Sequence, residues 1–162
     1  MSELKKNIVC STLENCKVGD SFIKKILVPY DDSKYSERAF SLALDLANHY
    51  GASITTITIV YENPATDLDI RHQTSFDKDK IKKINEKFKL LQEIATKFGI
   101  TLKNDIAKRR EILDPILTYI TENKMDLVVM GSRSRSGPNQ FVLGSIALGV
   151  CKSAKCPVML VK

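Results

Sequence analysis

The sequence predicts an α/β protein whose parallel sheet is covered by helices on both faces. Five short runs rich in apolar and β-branched residues alternate along the chain with four stretches of helical apolar spacing. Such alternation is typical of βαβ units, whose crossovers are right-handed. One of the runs, DLVVMG, is apolar from Leu127 to Met130 and stops at Gly131, as expected of a strand buried on both faces.

The first predicted strand covers residues 23–28 and is closed by Pro29, which lacks a ladder donor. A helix follows, with capping side chains in the stretch 31–33 and apolar residues at helical spacing up to Tyr50. Gly51 supplies its C-terminal stop.

The second strand is predicted over residues 54–61, where Ile, Thr and Val dominate, and Asn63-Pro64 ends it. The polar stretch 65–76 has no period and is interpreted as a connecting loop. Helical spacing begins at Asp77 and continues to Gly99.

The second half of the chain repeats this alternation. A third strand over 101–107 has the polar character of a sheet edge, and Asp114-Pro115 opens the next helix. Residues 125–130, 141–154 and 157–161 then predict a strand, a helix and a final strand.

Residues 1–22 show no sustained period and are interpreted as an irregular N-terminal extension, with at most a short strand at 8–10. The folded domain is assigned to residues 23–162. The cysteines, at 10, 16, 151 and 156, do not have the spacing of a C-x-x-C metal or redox motif. Free thiols are the favoured interpretation, and a Cys10–Cys16 bridge is the alternative.

Composition indicates one soluble domain. The chain has 162 residues, of which 43% are hydrophobic, and its apolar runs are shorter than the roughly 20 residues of a membrane helix. The N-terminus lacks the apolar core of a secretory signal, so we expect a cytoplasmic protein without membrane contact. The net charge of +6 raises the question of nucleic acid, but the lysines between 78 and 97 alternate with carboxylates and are interpreted as a solvated helix face. We therefore do not expect nucleic acid as a partner.

The loop after the strand DLVVMG carries the main functional signal. A strand that ends in a Gly/Ser/Arg loop and enters a helix presents unpaired N–H groups to an anion. Arg133 and Arg135 can add charge-assisted hydrogen bonds to phosphate oxygens. Nucleotide binding is therefore the first hypothesis.

From Lys24 to Lys162 the chain resembles the universal stress protein family. The resemblance rests on KKILVPYDDS, DLVVMGSRS, the spacing to LGS and the ending KCPVMLVK. The nucleotide-binding branch carries G-x-x-G-x9-G-[S/T], whose positions are occupied here by Gly131, Ser134, Gly144 and Ser145. Ser134 replaces the second glycine, and Leu113 stands where the family often has a glycine; both departures concern ligand affinity and not the fold.

The resemblance implies a doubly wound five-stranded sheet of order 3-2-1-4-5. It also implies an adenine nucleotide, ATP or AMP, over the ends of the first and fourth strands, and Mg²⁺ can accompany the phosphates. Asp31 in the Pro29-Tyr30-Asp31 stretch would meet the ribose, and the backbone of Val60 would face adenine. Met130 and Gly131 would lie beside adenine and ribose, and Ser134, Gly144 and Ser145 would contact phosphate.

Each residue also has a structural explanation. Asp31 can cap the first helix, Gly131 and Gly144 can serve turns and packing, and the arginines can be solvated loop charges. The alternative function is a family member that does not bind nucleotide and acts as a protein-interaction or protective dimer.

Catalysis is expected to be slow ATP hydrolysis at most, because the sequence lacks a Walker lysine and a nucleophile paired with a base. The apolar final strand, residues 158–161, predicts a homodimer, in addition to partner proteins that the sequence does not identify.

Overall fold

In the computed structural model, which describes residues 7–62, 70–133 and 143–162, five parallel strands form one sheet. The side chains of residues 70–77 are not among those described. The strands are β1 (Asn7–Thr12), β2 (Asn15–Gly19), β3 (Lys25–Pro29), β4 (Ser53–Tyr61), β5 (Leu102–Arg109), β6 (Leu127–Gly131) and β7 (Val158–Val161). The helices are α1 (Lys34–Tyr50), α2 (Ile70–Lys97), α3 (Leu113–Glu122) and α4 (Ser145–Ser153).

The strand order of the sheet is β5-β4-β3-β6-β7. Counted from β3 as the first strand of the sheet, this is the expected order 3-2-1-4-5. Every neighbouring pair is parallel, with Ile26 opposite both Ile54 and Leu127 in the central register. The predicted fold class is confirmed, and β5 is the predicted edge strand.

Helix α1 begins and ends as its sequence predicts. Ser33 is the N-cap, and its side chain accepts a hydrogen bond from the Ser36 amide in a capping box. Gly51 follows the last turn with φ 65°, a left-handed conformation that glycine adopts at little cost.

Helices cover both faces of the sheet and divide its core in two. On one face α1 and α2 pack over Ile26, Val28 and Ile54. On the other, α3 and α4 pack over Leu27 and Val128. Alternate residues of the same strand therefore belong to different cores, which explains why β3 is apolar from Ile26 to Val28 and β6 from Leu127 to Met130.

The N-terminal segment differs from the prediction. Strands β1 and β2 form an antiparallel hairpin in which Cys10 is opposite Cys16, and the two cysteines are joined by a disulfide. The expectation of an irregular segment with free Cys10 and Cys16 thiols was wrong, because a cross-strand pair places two β-carbons within bonding reach. Cys151 and Cys156 are free.

Two predicted helix boundaries also change. Helix α2 begins at Ile70, within the stretch interpreted as a loop. Helix α4 begins at Ser145 with Gly144 as its N-cap, so Leu143 precedes the helix predicted from 141. Residues 141 and 142 lie outside the described ranges.

None of the helices in the described ranges combines the length and apolarity needed to cross a membrane.

Candidate functional site

A cavity of about 770 Å³ lies at the carboxyl ends of the central strands. Residues that end or follow β3 and β6 line it, together with residues from the second half of β4 and from α2, α3 and α4. Strands β3 and β6 are neighbours whose following helices cover opposite faces of the sheet. This is the topological switch point, where ligands of doubly wound sheets bind.

The structure brings most of the predicted site residues to this cavity. Those that line it are Pro29, Tyr30, Asp31, Met130, Gly131, Arg133, Gly144 and Ser145. These residues come from three separate stretches of sequence, so the fold assembles what the motif spacing only suggested.

Val60 is not brought to the cavity. Its side chain is buried, and β4 contributes Ile57, Thr58 and Ile59 to the lining instead. The predicted contact with adenine was assigned to the Val60 backbone, and it stays a prediction. Ser134 and Arg135 lie outside the described residues.

Hydrogen bonds from β4 hold the turn that follows β3. The Tyr30 amide donates to the Ile57 carbonyl at 2.9 Å, and the Thr58 hydroxyl donates to the Tyr30 carbonyl at 2.7 Å. Since Thr58 and Tyr30 are both buried, these bonds satisfy groups that water does not reach. The backbone that leads into Asp31 is thus fixed against the neighbouring strand.

The Asp31 carboxylate accepts a hydrogen bond from the Ser33 amide at 3.1 Å. Ser33, and not Asp31, is the N-cap of α1. Asp31 is exposed and lines the cavity, so its carboxylate is held by the turn and remains accessible from the cavity. This arrangement suits a carboxylate that accepts hydrogen bonds from ligand hydroxyl groups.

The N-terminus of α4 opens into the cavity from the other side. The Ser132 amide donates to the Val161 carbonyl at 2.8 Å, and the Ser132 carbonyl accepts from the Gly144 amide at 2.9 Å. Gly144 is the N-cap of α4, and because glycine has no side chain it places no capping oxygen on the first-turn amides. Ser145, the first residue of the helix, lines the cavity. First-turn amides and the positive end of the helix dipole therefore face the space where an anion would lie.

Apolar side chains form a third part of the lining. They come from β4, from α3 and the residue before it, and from the end of β6, and they include Ile57, Ile59, Ile112, Ile116 and Met130. A flat apolar or aromatic group can bury surface against them.

A cluster of ionisable side chains closes the cavity on the α2 side. The Lys87 ammonium lies 3.0 Å from Asp32 and 2.9 Å from Glu37, and the Tyr30 hydroxyl donates to Asp32 at 3.4 Å. Hydrogen bonds to Glu37 and Asp32 raise the pKa of Lys87. Burial raises the pKa of Tyr30 above its ordinary value of 10.0. At neutral pH Lys87 is therefore charged and Tyr30 is neutral.

The lysines of α2 are the site residues that sequence reasoning missed. Lys80, Lys83 and Lys87 line the cavity, although the charged stretch 78–97 is predicted to be a solvated face. Their spacing of three and four residues, which places side chains on one helix face, was the available signal.

Fold and cavity together define a doubly wound α/β protein with an anion-compatible cavity at the switch point of its sheet. A family model described as the universal stress protein family matches residues 23–162. The chain belongs to this family, as its motifs predict.

Several family members are similar to the chain over most of its length. A universal stress protein of Methanocaldococcus jannaschii is 29% identical over 160 residues, which cover 98% of this chain and 92% of the relative. The structure of universal stress protein UspA from Lactobacillus plantarum superposes with a TM-score of 0.81 at 21% identity and covers 88% of this chain and 100% of that one.

Some of the similar solved structures contain nucleotides. An Arabidopsis thaliana family protein with AMP bound has a TM-score of 0.60 at 22% identity and covers 86% of this chain and 91% of its own. The Archaeoglobus fulgidus universal stress protein in complex with dAMP has a TM-score of 0.60 at 20% identity, and the match covers 87% of this chain and 98% of that one. At these identities the likeness establishes the shared fold.

Proposed function

We propose that this universal stress protein binds an adenine nucleotide, ATP or AMP, in the switch-point cavity and signals its occupancy to partner proteins. One observation carries the proposal. The N-terminus of α4, with Gly144 and Ser145, opens into the same cavity as Arg133 and the accessible carboxylate of Asp31.

The chemistry of the cavity matches the parts of such a ligand. First-turn amides of α4 and the Arg133 guanidinium suit phosphate oxygens, with Mg²⁺ as an accompanying ion. Asp31 suits ribose hydroxyls, and the apolar lining from β4 and α3 suits a purine ring. The AMP and dAMP complexes of similar proteins support the same class of ligand.

Calorimetric titration of the purified protein with ATP, AMP and cyclic AMP tests the proposal. We expect saturable binding of at least one of these nucleotides, with a thermal shift that follows occupancy. Neither heat nor thermal shift at millimolar nucleotide would contradict it.

A charge placed at the start of α4 separates binding from folding. Ser145→Asp puts a carboxylate beside the phosphate position, and we expect affinity to fall about tenfold or more. The same carboxylate lies at the favourable end of the helix dipole, so the thermal midpoint without nucleotide should not fall. Ser153→Asp is the matched control at the other end of α4, and it should retain nucleotide affinity.

We also propose that two copies pair through β7. This strand is one of the two edges of the sheet, and its Met159 side chain is 38% exposed. An apolar edge strand offers unpaired backbone groups to a second copy. Met159→Lys should shift the light-scattering mass from that of a dimer to that of a monomer, whereas Leu148→Lys, at an exposed side chain of α4, should not. A monomeric parent protein at micromolar concentration would contradict the pairing.

A further inference from the structure

The α2 lysine row, defined as Lys80, Lys83 and Lys87, lines the switch-point cavity from a wall opposite to α4. Spacings of three and four residues place the three side chains along one helix face, over about 10 Å of helix. Lys82 and Lys89 belong to the same helix and are exposed, as Lys80 and Lys83 are, but they do not line the cavity. The orientation of the row is therefore specific within a lysine-rich helix.

Members of the row differ in their partners. Lys87 is paired with Asp32 and Glu37. Among the side chains that the structure describes, those of 7–62, 78–133 and 143–162, none forms an ion pair with Lys80 or Lys83. Two like charges within one helical turn repel each other, and an anion between them would relieve that repulsion.

The row lies on a different side of the site from the α4 terminus. Helix α2 packs with α1 on one face of the sheet, and α4 packs with α3 on the other. Lys87 is joined to Asp32, the residue after Asp31, so the row begins beside the turn that carries the Asp31 carboxylate. Groups that can bind anions therefore face the cavity from two walls, as backbone amides at the start of α4 and as the lysine row on α2. The acidic turn adjoins the row.

We infer that the ligand carries a second phosphate on a ribose hydroxyl, in addition to the phosphate at the 5′ position. This inference rests on the proposed function, in which Asp31 faces the ribose and α4 faces the 5′ phosphate. A ribose-side phosphate would then lie toward Lys83 and Lys80, which act as two point charges. The preferred ligand class is an adenosine bisphosphate phosphorylated at the 5′ position and at the 2′ or 3′ hydroxyl.

Calorimetry with AMP, adenosine 3′,5′-bisphosphate, adenosine 2′,5′-bisphosphate and ATP tests the inference. We expect at least one bisphosphate to bind about tenfold more tightly than AMP, as two charge-assisted contacts would give. In the double variant Lys80→Gln/Lys83→Gln, the dissociation constant for AMP divided by that for the bisphosphate should fall to about 1. The control Lys82→Gln/Lys89→Gln removes the same charge from the same helix and should keep the ratio of the parent protein.

The outcomes are distinguishable. AMP binding without tighter bisphosphate binding would overturn the inference and leave the proposed function intact. A bisphosphate preference that survives in Lys80→Gln/Lys83→Gln would also overturn it. So would a double variant that loses affinity for ATP alone. Failure of all four nucleotides to bind would overturn both.

Discussion

Gly131 and Tyr35 pack so closely that the glycine has no room for a side chain. A β-carbon on Gly131 would lie 2.7 Å from the Tyr35 Cβ and 3.0 Å from the Tyr35 carbonyl carbon. Helix α1 therefore crosses the end of β6 at a distance that only glycine permits. This glycine, which also belongs to the nucleotide motif, is required by packing whether or not a ligand is bound.

Gly131→Ala should lower the free energy of unfolding by about 1–3 kcal/mol, because the methyl group would push α1 away from the sheet. Urea unfolding measures the loss. Gly144→Ala is the control: its φ of −61° suits any residue, and the nearest atom to an added β-carbon is the Ser132 carbonyl oxygen at 3.3 Å. Equal losses at the two positions would refute the packing explanation.

Asp126 ties the start of β6 to the start of β3, and its removal should destabilise the sheet. Its Oδ2 accepts hydrogen bonds from the amides of Lys24 at 2.9 Å and Lys25 at 2.8 Å. Asp126→Ala leaves both donors without this acceptor, and we expect a loss of about 1–3 kcal/mol in urea unfolding. Asp126→Asn keeps an acceptor oxygen and should lose less; a larger loss for Asn than for Ala would count against this role.

The sheet and α1 were predictable from sequence because local signals agree there with the tertiary structure. Apolar runs mark the buried strands, Ser33 and Gly51 supply both caps, and the helical apolar spacing lies between them. The cavity was predictable for the same reason, since its position follows from the topology.

Other features did not follow from the local sequence pattern. The β1–β2 hairpin has no apolar periodicity and is defined by a cross-strand disulfide. The start of α4 at Ser145 depends on the Gly144 amide, which bonds the Ser132 carbonyl. The role of Lys80 and Lys83 depends on which face of α2 lies against the cavity, and helical spacing alone does not decide that.

Reduction of the Cys10–Cys16 disulfide should release the β1–β2 hairpin and leave the main sheet unchanged. The two strands pair only with each other within the described residues, and both cysteines are exposed. An isolated two-stranded hairpin is marginally stable in water, and a bond closing so short a loop contributes about 2 kcal/mol.

Amide hydrogen exchange with and without reductant measures this effect. Protection within Asn7–Gly19 should fall about thirtyfold on reduction, while protection in β3 and β6 should not change. Cys10→Ser/Cys16→Ser should reproduce the reduced state, and Cys151→Ser should behave like the parent protein. Equal hairpin protection in oxidised and reduced protein would show that the bond does not hold it.

Stability should fall as pH rises above 10, and Tyr30 should account for part of the fall. Burial raises the pKa of Tyr30 above its ordinary value of 10.0. Well below pH 10.0 the phenol is protonated in both the folded and the unfolded protein. Above pH 10.0 the unfolded chain releases the proton while the folded protein still holds it, and this favours unfolding. Lys87 acts in the same direction, because hydrogen bonds to Glu37 and Asp32 raise its pKa above 10.5 and their contribution is lost as the ammonium deprotonates.

Urea midpoints measured below and above pH 10.0 check this prediction for the buried phenol. Tyr30→Phe removes the ionisable group, so the decline above pH 10.0 should become shallower, although Lys87 and the raised pKa of Tyr119 leave part of it in place. Tyr61→Phe is the matched control, because this side chain is 50% exposed, and it should keep the steeper decline of the parent protein. An identical decline in Tyr30→Phe and the parent protein would mean that the phenol ionises as readily in the fold as in the unfolded chain.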